Sequence, residues 1–296
     1  MAQDRPLIDL TYYETYYFAN AVKNVLENQF HYLRNLNDFY GDGNYLGLIA
    51  PYRRYSAFHS FIEFVIDEIM SDENNEVKLD GRQDMLERFK NIPSAFVFDQ
   101  HPSKLPVNIG LDRYGIEHQS FEDWLKERGS TFMDARDEEM EEYYDSLRED
   151  GSWDELLVRA TREVFFVLFQ NRDVLMLFND MIANQVKDGG EEALDGEHSG
   201  LFAKGGVLKR VSIPEWVRRA VFFRDRGLCV LCHRDLTGIV NIWSEDNFDH
   251  IVSLAAGGLN DVSNIQLLCR ECNSKKRAGA PETSNRYEAW YLEDEA

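Results

Sequence analysis

Apolar residues recur at three- and four-residue steps through YYETYYFANAVKNVLENQFHYLRNL (Tyr12–Leu36) and SAFHSFIEFVIDEIM (Ser56–Met70). That period places them on one face of a helix, so both stretches are read as amphipathic helices. DELLVRATREVFFVLF (Asp154–Phe169) and DVLMLFNDMIANQV (Asp173–Val186) are apolar on more than one face. They belong at the centre of a helical bundle. Ser120 before FEDWLKERG is positioned as an N-cap and Gly129 as its stop. The stretch Asn91–Gly115 holds three of the seven prolines and is expected to be irregular. His31 and His59 fall within aromatic-rich helical stretches and are expected at the core or its boundary.

The pattern changes after residue 187. Lys187–Gly206 contains six glycines and few large apolar residues, the composition of a linker. A new helix is expected from near Ser212, with Pro214 in its first turn, running through EWVRRAVFFRDRG to Gly227. The expected organisation is therefore a mainly α helical domain over 1–187, a linker over 188–206 and a small α+β domain over 207–296.

Charge sharpens this division. The chain of 296 residues has a formal net charge of −21, which taken alone argues against nucleic-acid binding. Residues 1–203 carry 19 Lys+Arg against 40 Asp+Glu, whereas residues 204–277 carry 12 against 8. One compact basic segment thus lies inside an acidic chain, and it holds all four cysteines. Glu138, Glu139, Glu141 and Glu142, on an acidic helix over about 133–149, are expected on a solvated face, with a DNA-mimicking or partner-binding surface as the alternative. The acidic helical domain as a whole is expected to be regulatory, to bind a protein partner or to self-associate. The N-terminus lacks the features of a secretory signal, and no apolar run approaches the about eighteen residues of a membrane span. The protein is read as cytoplasmic, with no membrane partner.

In a reducing compartment, clustered cysteines act as metal ligands more often than as disulfides. Cys229 and Cys232 form one CxxC pair, and Cys269 and Cys272 a second after a gap of 36 residues. A redox dithiol and an iron–sulfur cluster are the other uses of such pairs. Two separate knuckles favour one structural Zn²⁺ held by four thiolates. His233 follows the first knuckle, but four cysteines already complete a tetrahedron.

Between the knuckles lie FDHIVSLAAGG (Phe248–Gly258) and SNIQLLCRECNSKK (Ser263–Lys276). With CVLC (Cys229–Cys232) before them, they resemble the HNH endonuclease family in its four-cysteine subgroup, over Val217 to Gly279. The resemblance implies a ββα-metal fold around one catalytic cation. It implies His250 as the general base, Asp249 and Asn273 as ligands of Mg²⁺ or Mn²⁺, and Asn264 as the residue that orients the loop of the base. Asn273 stands where the family has His or Asn, making this an HNN variant. Gly257 and Gly258 match the family's loop glycines. Arg218, Arg219 and Arg224 before the first knuckle, and Lys275, Lys276 and Arg277 after the second, are expected to contact nucleic-acid backbone. The expected activity is hydrolysis of phosphodiester bonds, in double-stranded DNA, by a restriction or phage-defence effector. The alternative is an inactive, zinc-stabilised HNH-like module that only binds nucleic acid or protein.

Overall fold

The computed structural model describes residues 8–76, 79, 104–132, 134–190, 193, 196–238 and 247–289. The described residues are mostly helical, with a small two-stranded antiparallel sheet near the C-terminus. The helices are α1 (Thr15–Glu27), α2 (Leu33–Tyr40), α3 (Ala57–Glu76), α4 (Pro106–Tyr114), α5 (Phe121–Glu127), α6 (Asp137–Glu149), α7 (Ser152–Leu168), α8 (Arg172–Gly189), α9 (Glu215–Arg224) and α10 (Arg270–Lys276). The strands are β1 (Phe248–His250) and β2 (Ile265–Leu267). None of the described helices is long and apolar enough to cross a membrane. Contacts divide the chain into two units: residues 1–18 with 63–164, and 19–62 with 165–296.

The first unit is helical around an aromatic core of Phe121, Trp124, Tyr143, Tyr144 and Trp153. Ser120 caps α5 by accepting from Asp123 N at 3.2 Å, and Gly129 ends that segment at φ +74°. Glu163 is buried and accepts from Tyr12 N (2.9 Å), Thr15 Oγ1 (2.6 Å), Tyr114 OH (3.2 Å) and Thr11 N. A carboxylate so enclosed tolerates burial because hydrogen bonds replace its water.

Two expectations are corrected. Residues 91–103 of the proline-bearing stretch lie outside the described residues, but the remainder is helical. Pro106 occupies the first turn of α4, where the missing N–H is not needed, and Gly115 ends it at φ +63°. His59 is buried as expected, its Nδ1 2.8 Å from Ser56 Oγ. His31 is exposed, because it lies on a short 3₁₀ turn, Gln29–Tyr32, that buries none of its residues.

The second unit holds the sheet. In α8, Val174, Leu175, Phe178, Ile182 and Val186 form a buried stripe. In the glycine-rich stretch α8 runs on to Gly189, and residues 202–208 make a tight turn: Phe202 bridges Leu208, Ala203 N donates to Val207 O at 2.7 Å, and both Phe202 and Leu208 are buried. The helix expected near Ser212 begins at Glu215, since Pro214 serves as its N-cap. β1 and β2 pair in the register Phe248↔Leu267, Asp249↔Gln266 and His250↔Ile265, and α10 follows at once, giving the ββα order. The side-chain alternation of a strand turns Phe248 and His250 inward and Asp249 outward.

Candidate active site and metal centre

Gly227, at φ +69°, turns the chain out of α9 into the first knuckle, where a Cβ would meet Thr237 Cγ2 at 2.5 Å. Cys229 N then donates to Arg234 O (2.9 Å), and Val230 N to Leu267 O (3.0 Å), docking the knuckle against β2. The second knuckle is the start of α10, with Cys269 as N-cap and its Sγ accepting from Cys272 N at 3.4 Å. Arg234 and Glu271, paired at 3.0 Å, join the two.

The ligand atoms of Cys229, Cys232, Cys269 and Cys272 all lie within 4.8 Å of one another. Cys232 Sγ and Cys269 Sγ are 3.8 Å apart. A tetrahedron with Zn–S bonds of about 2.3 Å has edges of about 3.8 Å, so the arrangement fits a structural zinc ion. His233 is exposed, with φ +58°, and is not among the clustered ligand atoms.

A cleft of about 390 Å³ is lined by Asp249, His250 and Asn273, with Arg210, Ser253 and Arg277. β1 supplies the first two and α10 supplies Asn273. Asn264 is fully buried and ties the loop after His250 to itself. Its Oδ1 accepts from Val252 N at 2.9 Å, and its Nδ2 donates to the carbonyls of Val252 (2.9 Å) and Leu259 (2.8 Å). The loop can close this tightly because of its glycines. A Cβ on Gly258 would meet Val252 O at 2.0 Å, and one on Gly257, at φ +87°, would meet Ala183 O at 2.3 Å.

His250 is 2 % exposed and faces the cleft. Burial pushes its imidazole down to about 4, with Arg210 and Lys276 acting in the same direction and Asn260 against it. The side chain of Asn260 stands beside the ring, yet neither ring nitrogen has a well-formed hydrogen bond among the described residues. The result is a neutral imidazole with accepting capacity at neutral pH.

Asp249 is half-buried, and its Oδ2 lies 2.9 Å from Lys276 Nζ. Its carboxylate and the Asn273 amide are hard oxygen donors lining the cleft, which is roomy enough for water besides. That donor chemistry fits a hard divalent cation such as Mg²⁺ or Mn²⁺ and leaves most coordination positions to water and phosphate.

Residues 229–279 match the HNH endonuclease family. The matched span takes in both knuckles, the sheet, the Asn264 loop and the helix that bears Asn273. No curated protein and no solved structure gives a significant match to the chain.

The cations of the HNH segment divide by burial. Lys275 and Arg277 are exposed, and Arg218 and Arg219 are half-buried on α9. Arg224 is buried. It pairs with Asp225 through Nε (2.8 Å) and Nη2 (2.9 Å) and donates to Ile265 O at 2.6 Å. Lys276 is buried as well, donating to His250 O at 2.7 Å. Both were expected at the nucleic-acid surface; both instead hold the interior together, because a buried carboxylate or carbonyl stands within reach of each. Arg210 was not picked out from the sequence. It lies at the edge of the glycine-rich stretch, and only the turn at Phe202–Leu208 carries it to the cleft.

Proposed function

We propose that the HNH segment is a metal-dependent endonuclease that hydrolyses phosphodiester bonds in double-stranded DNA. The observation that carries this reading is the convergence of Asp249, His250 and Asn273 on one cleft bordered by Arg210 and Arg277. A carboxylate, an imidazole and an amide in a basic cleft are the groups that phosphodiester hydrolysis needs.

In this scheme Arg210 and Arg277 draw in the phosphate backbone, with Arg218, Arg219 and Lys275 available for flanking phosphates. Asp249 and Asn273 would hold the divalent cation, which supplies charge neutralisation at the phosphate when bound. His250 accepts the proton of a water whose oxygen attacks phosphorus. The P–O3′ bond breaks, and the departing oxygen takes a proton from solvent, leaving 5′-phosphate and 3′-hydroxyl ends. Asn264 acts at one remove by fixing the loop that follows the base. The four cysteines and their zinc would hold α10 against β2 and so keep Asn273 at the cleft that Asp249 lines. The acidic helices of the first unit are read as a regulatory or partner-binding part of an effector in restriction or phage defence. The support for that part is the charge contrast with the basic segment.

The test is cleavage of plasmid, linear duplex, single-stranded DNA and RNA by the full chain with Mg²⁺ or Mn²⁺. His250→Ala should lower the rate by at least about 100-fold while retaining zinc and fold. A variant within about tenfold of the wild type removes His250 as the base. No cleavage of any substrate by the wild type favours a module that binds without cutting.

A further inference from the structure

Lys276 is the titratable group that the scheme above leaves without a part. It lies in the last turn of α10 with its side chain 1 % exposed. A buried ammonium is costly unless paired and hydrogen-bonded, and here it is both. Its Nζ sits 2.9 Å from Asp249 Oδ2 and donates to the His250 carbonyl at 2.7 Å. One lysine therefore grips the strand end that presents the carboxylate and the imidazole. It occupies one carboxylate oxygen and leaves Oδ1 as the remaining donor.

The charges around the cleft follow from its lining. Asp249 is the one carboxylate among the described lining residues, and Lys276 already offsets it. Arg210 and Arg277 add two positive charges, while Asn273 and Ser253 are neutral. The protein's contribution is net positive before anything binds. A divalent cation is drawn to its site by the charge of the ligands as much as by their oxygens, and that charge is lacking here. A phosphodiester brings it.

We propose that Lys276 couples metal capture to substrate binding: by neutralising Asp249 it keeps the site weak for a divalent cation until a nucleic-acid phosphate enters between Arg210 and Arg277. Metal and substrate then each tighten the other's binding, by the same factor. This rests on the nuclease reading of the same cleft. It makes Lys276 a positioning and charge-setting residue rather than one that touches the reacting atoms.

The experiment measures Mn²⁺ binding to the zinc-loaded full chain by electron paramagnetic resonance, with and without a DNA duplex, and with a duplex-only control subtracted. The His250→Ala background stops hydrolysis and keeps both metal ligands and the backbone carbonyl that Lys276 holds. The duplex should lower the Kd for Mn²⁺ by about tenfold or more, the scale expected when charges a few ångströms apart are changed at a wet cleft. Adding Lys276→Met should tighten duplex-free binding and shrink that ratio. Adding Lys276→Arg, which keeps the charge, should preserve it. Equal Kd values with and without duplex overturn the proposal. So does a Lys276→Met variant, folded by circular dichroism, whose ratio is unchanged or whose duplex-free binding is weaker. If Lys276→Met does not fold, the duplex comparison and the Lys276→Arg variant still decide. A failure of the nuclease reading shows itself separately, as the absence of metal-dependent cleavage by the wild type.

Discussion

Asn264 contributes to the site without entering the cleft. Its single acceptor and both of its donors are used, on Val252 N, Val252 O and Leu259 O, at a fully buried position. Replacing it by Ala leaves a buried N–H and two buried carbonyls without partners. At about 1 kcal/mol or more for each lost bond, the expected cost is about 2–4 kcal/mol. Chemical denaturation should show that loss, and cleavage should fall with it because the loop after His250 is no longer tied. Asn264→Asp keeps the bond from Val252 N but turns two donors into acceptors facing carbonyls, so it should rescue neither stability nor activity. Rescue by Asp would mean that the acceptor alone holds the loop. The same scale shows why residue type was a poor guide to the cations. Arg224 and Lys276 look no different in the sequence from Arg218 and Lys275. What separates them is a carboxylate within about 3 Å, on buried Asp225 in one case and half-buried Asp249 in the other.

At the scale of elements, strands of three residues and a helix of seven have little stability of their own. The cross-link between the knuckles must supply what a core of this size cannot. Cys269 joins both roles, since it is a member of the thiol cluster and the N-cap of α10. Cys269→Ser should therefore abolish bound zinc, measured by elemental analysis, and expose 247–276 to hydrogen exchange while leaving 104–164 protected. An unchanged exchange pattern in 247–276 after complete zinc removal would show that packing alone holds the ββα unit.

At the scale of the whole molecule, the HNH segment does not stand apart from the chain that precedes it. Asn179 of α8 donates to Ser263 Oγ at 3.0 Å, and Ala57 N to Asp261 Oδ2 at 2.9 Å. Tyr52 N donates to Asn260 O at 2.8 Å, and Arg172 Nη1 to Asp225 Oδ1 at 2.9 Å, with both of the last two side chains buried. Arg172 also donates to Arg286 O at 2.8 Å and lies over Tyr287 at 4.0 Å, strapping the C-terminal stretch to the start of α8. A fragment of residues 207–296 loses every partner on 52–57 and α8. Asp225 keeps Arg224 in that fragment, but each buried hydrogen bond lost to 52–57 and α8 costs about 1 kcal/mol or more, so this fragment should be unfolded or only partly folded even with zinc. A fragment of residues 170–296 restores Arg172 and Asn179 and should melt several degrees higher by circular dichroism. Equal melting of the two would show that α8 contributes nothing to the fold of the HNH segment.

The sequence by itself picked out the candidate chemistry: two CxxC pairs, and Asp249, His250, Asn264 and Asn273 in order between and beside them. Metal and phosphoryl chemistry demand particular residue types at short separations, and short separations survive in a linear pattern. The amphipathic helices were legible for the same reason, because their period is local. The short helix α4 was not, since prolines that open a helix and prolines that forbid one look alike until the turn is formed. Only the tertiary structure decided which cations meet solvent, that Arg210 borders the cleft, that Lys276 grips Asp249, and that α8 packs with the HNH segment. These depend on pairs such as Arg172 with Asp225 and Ala57 with Asp261, which are far apart in the chain. Whether a charged side chain goes inside is settled by whether folding brings a partner that offsets its lost hydration.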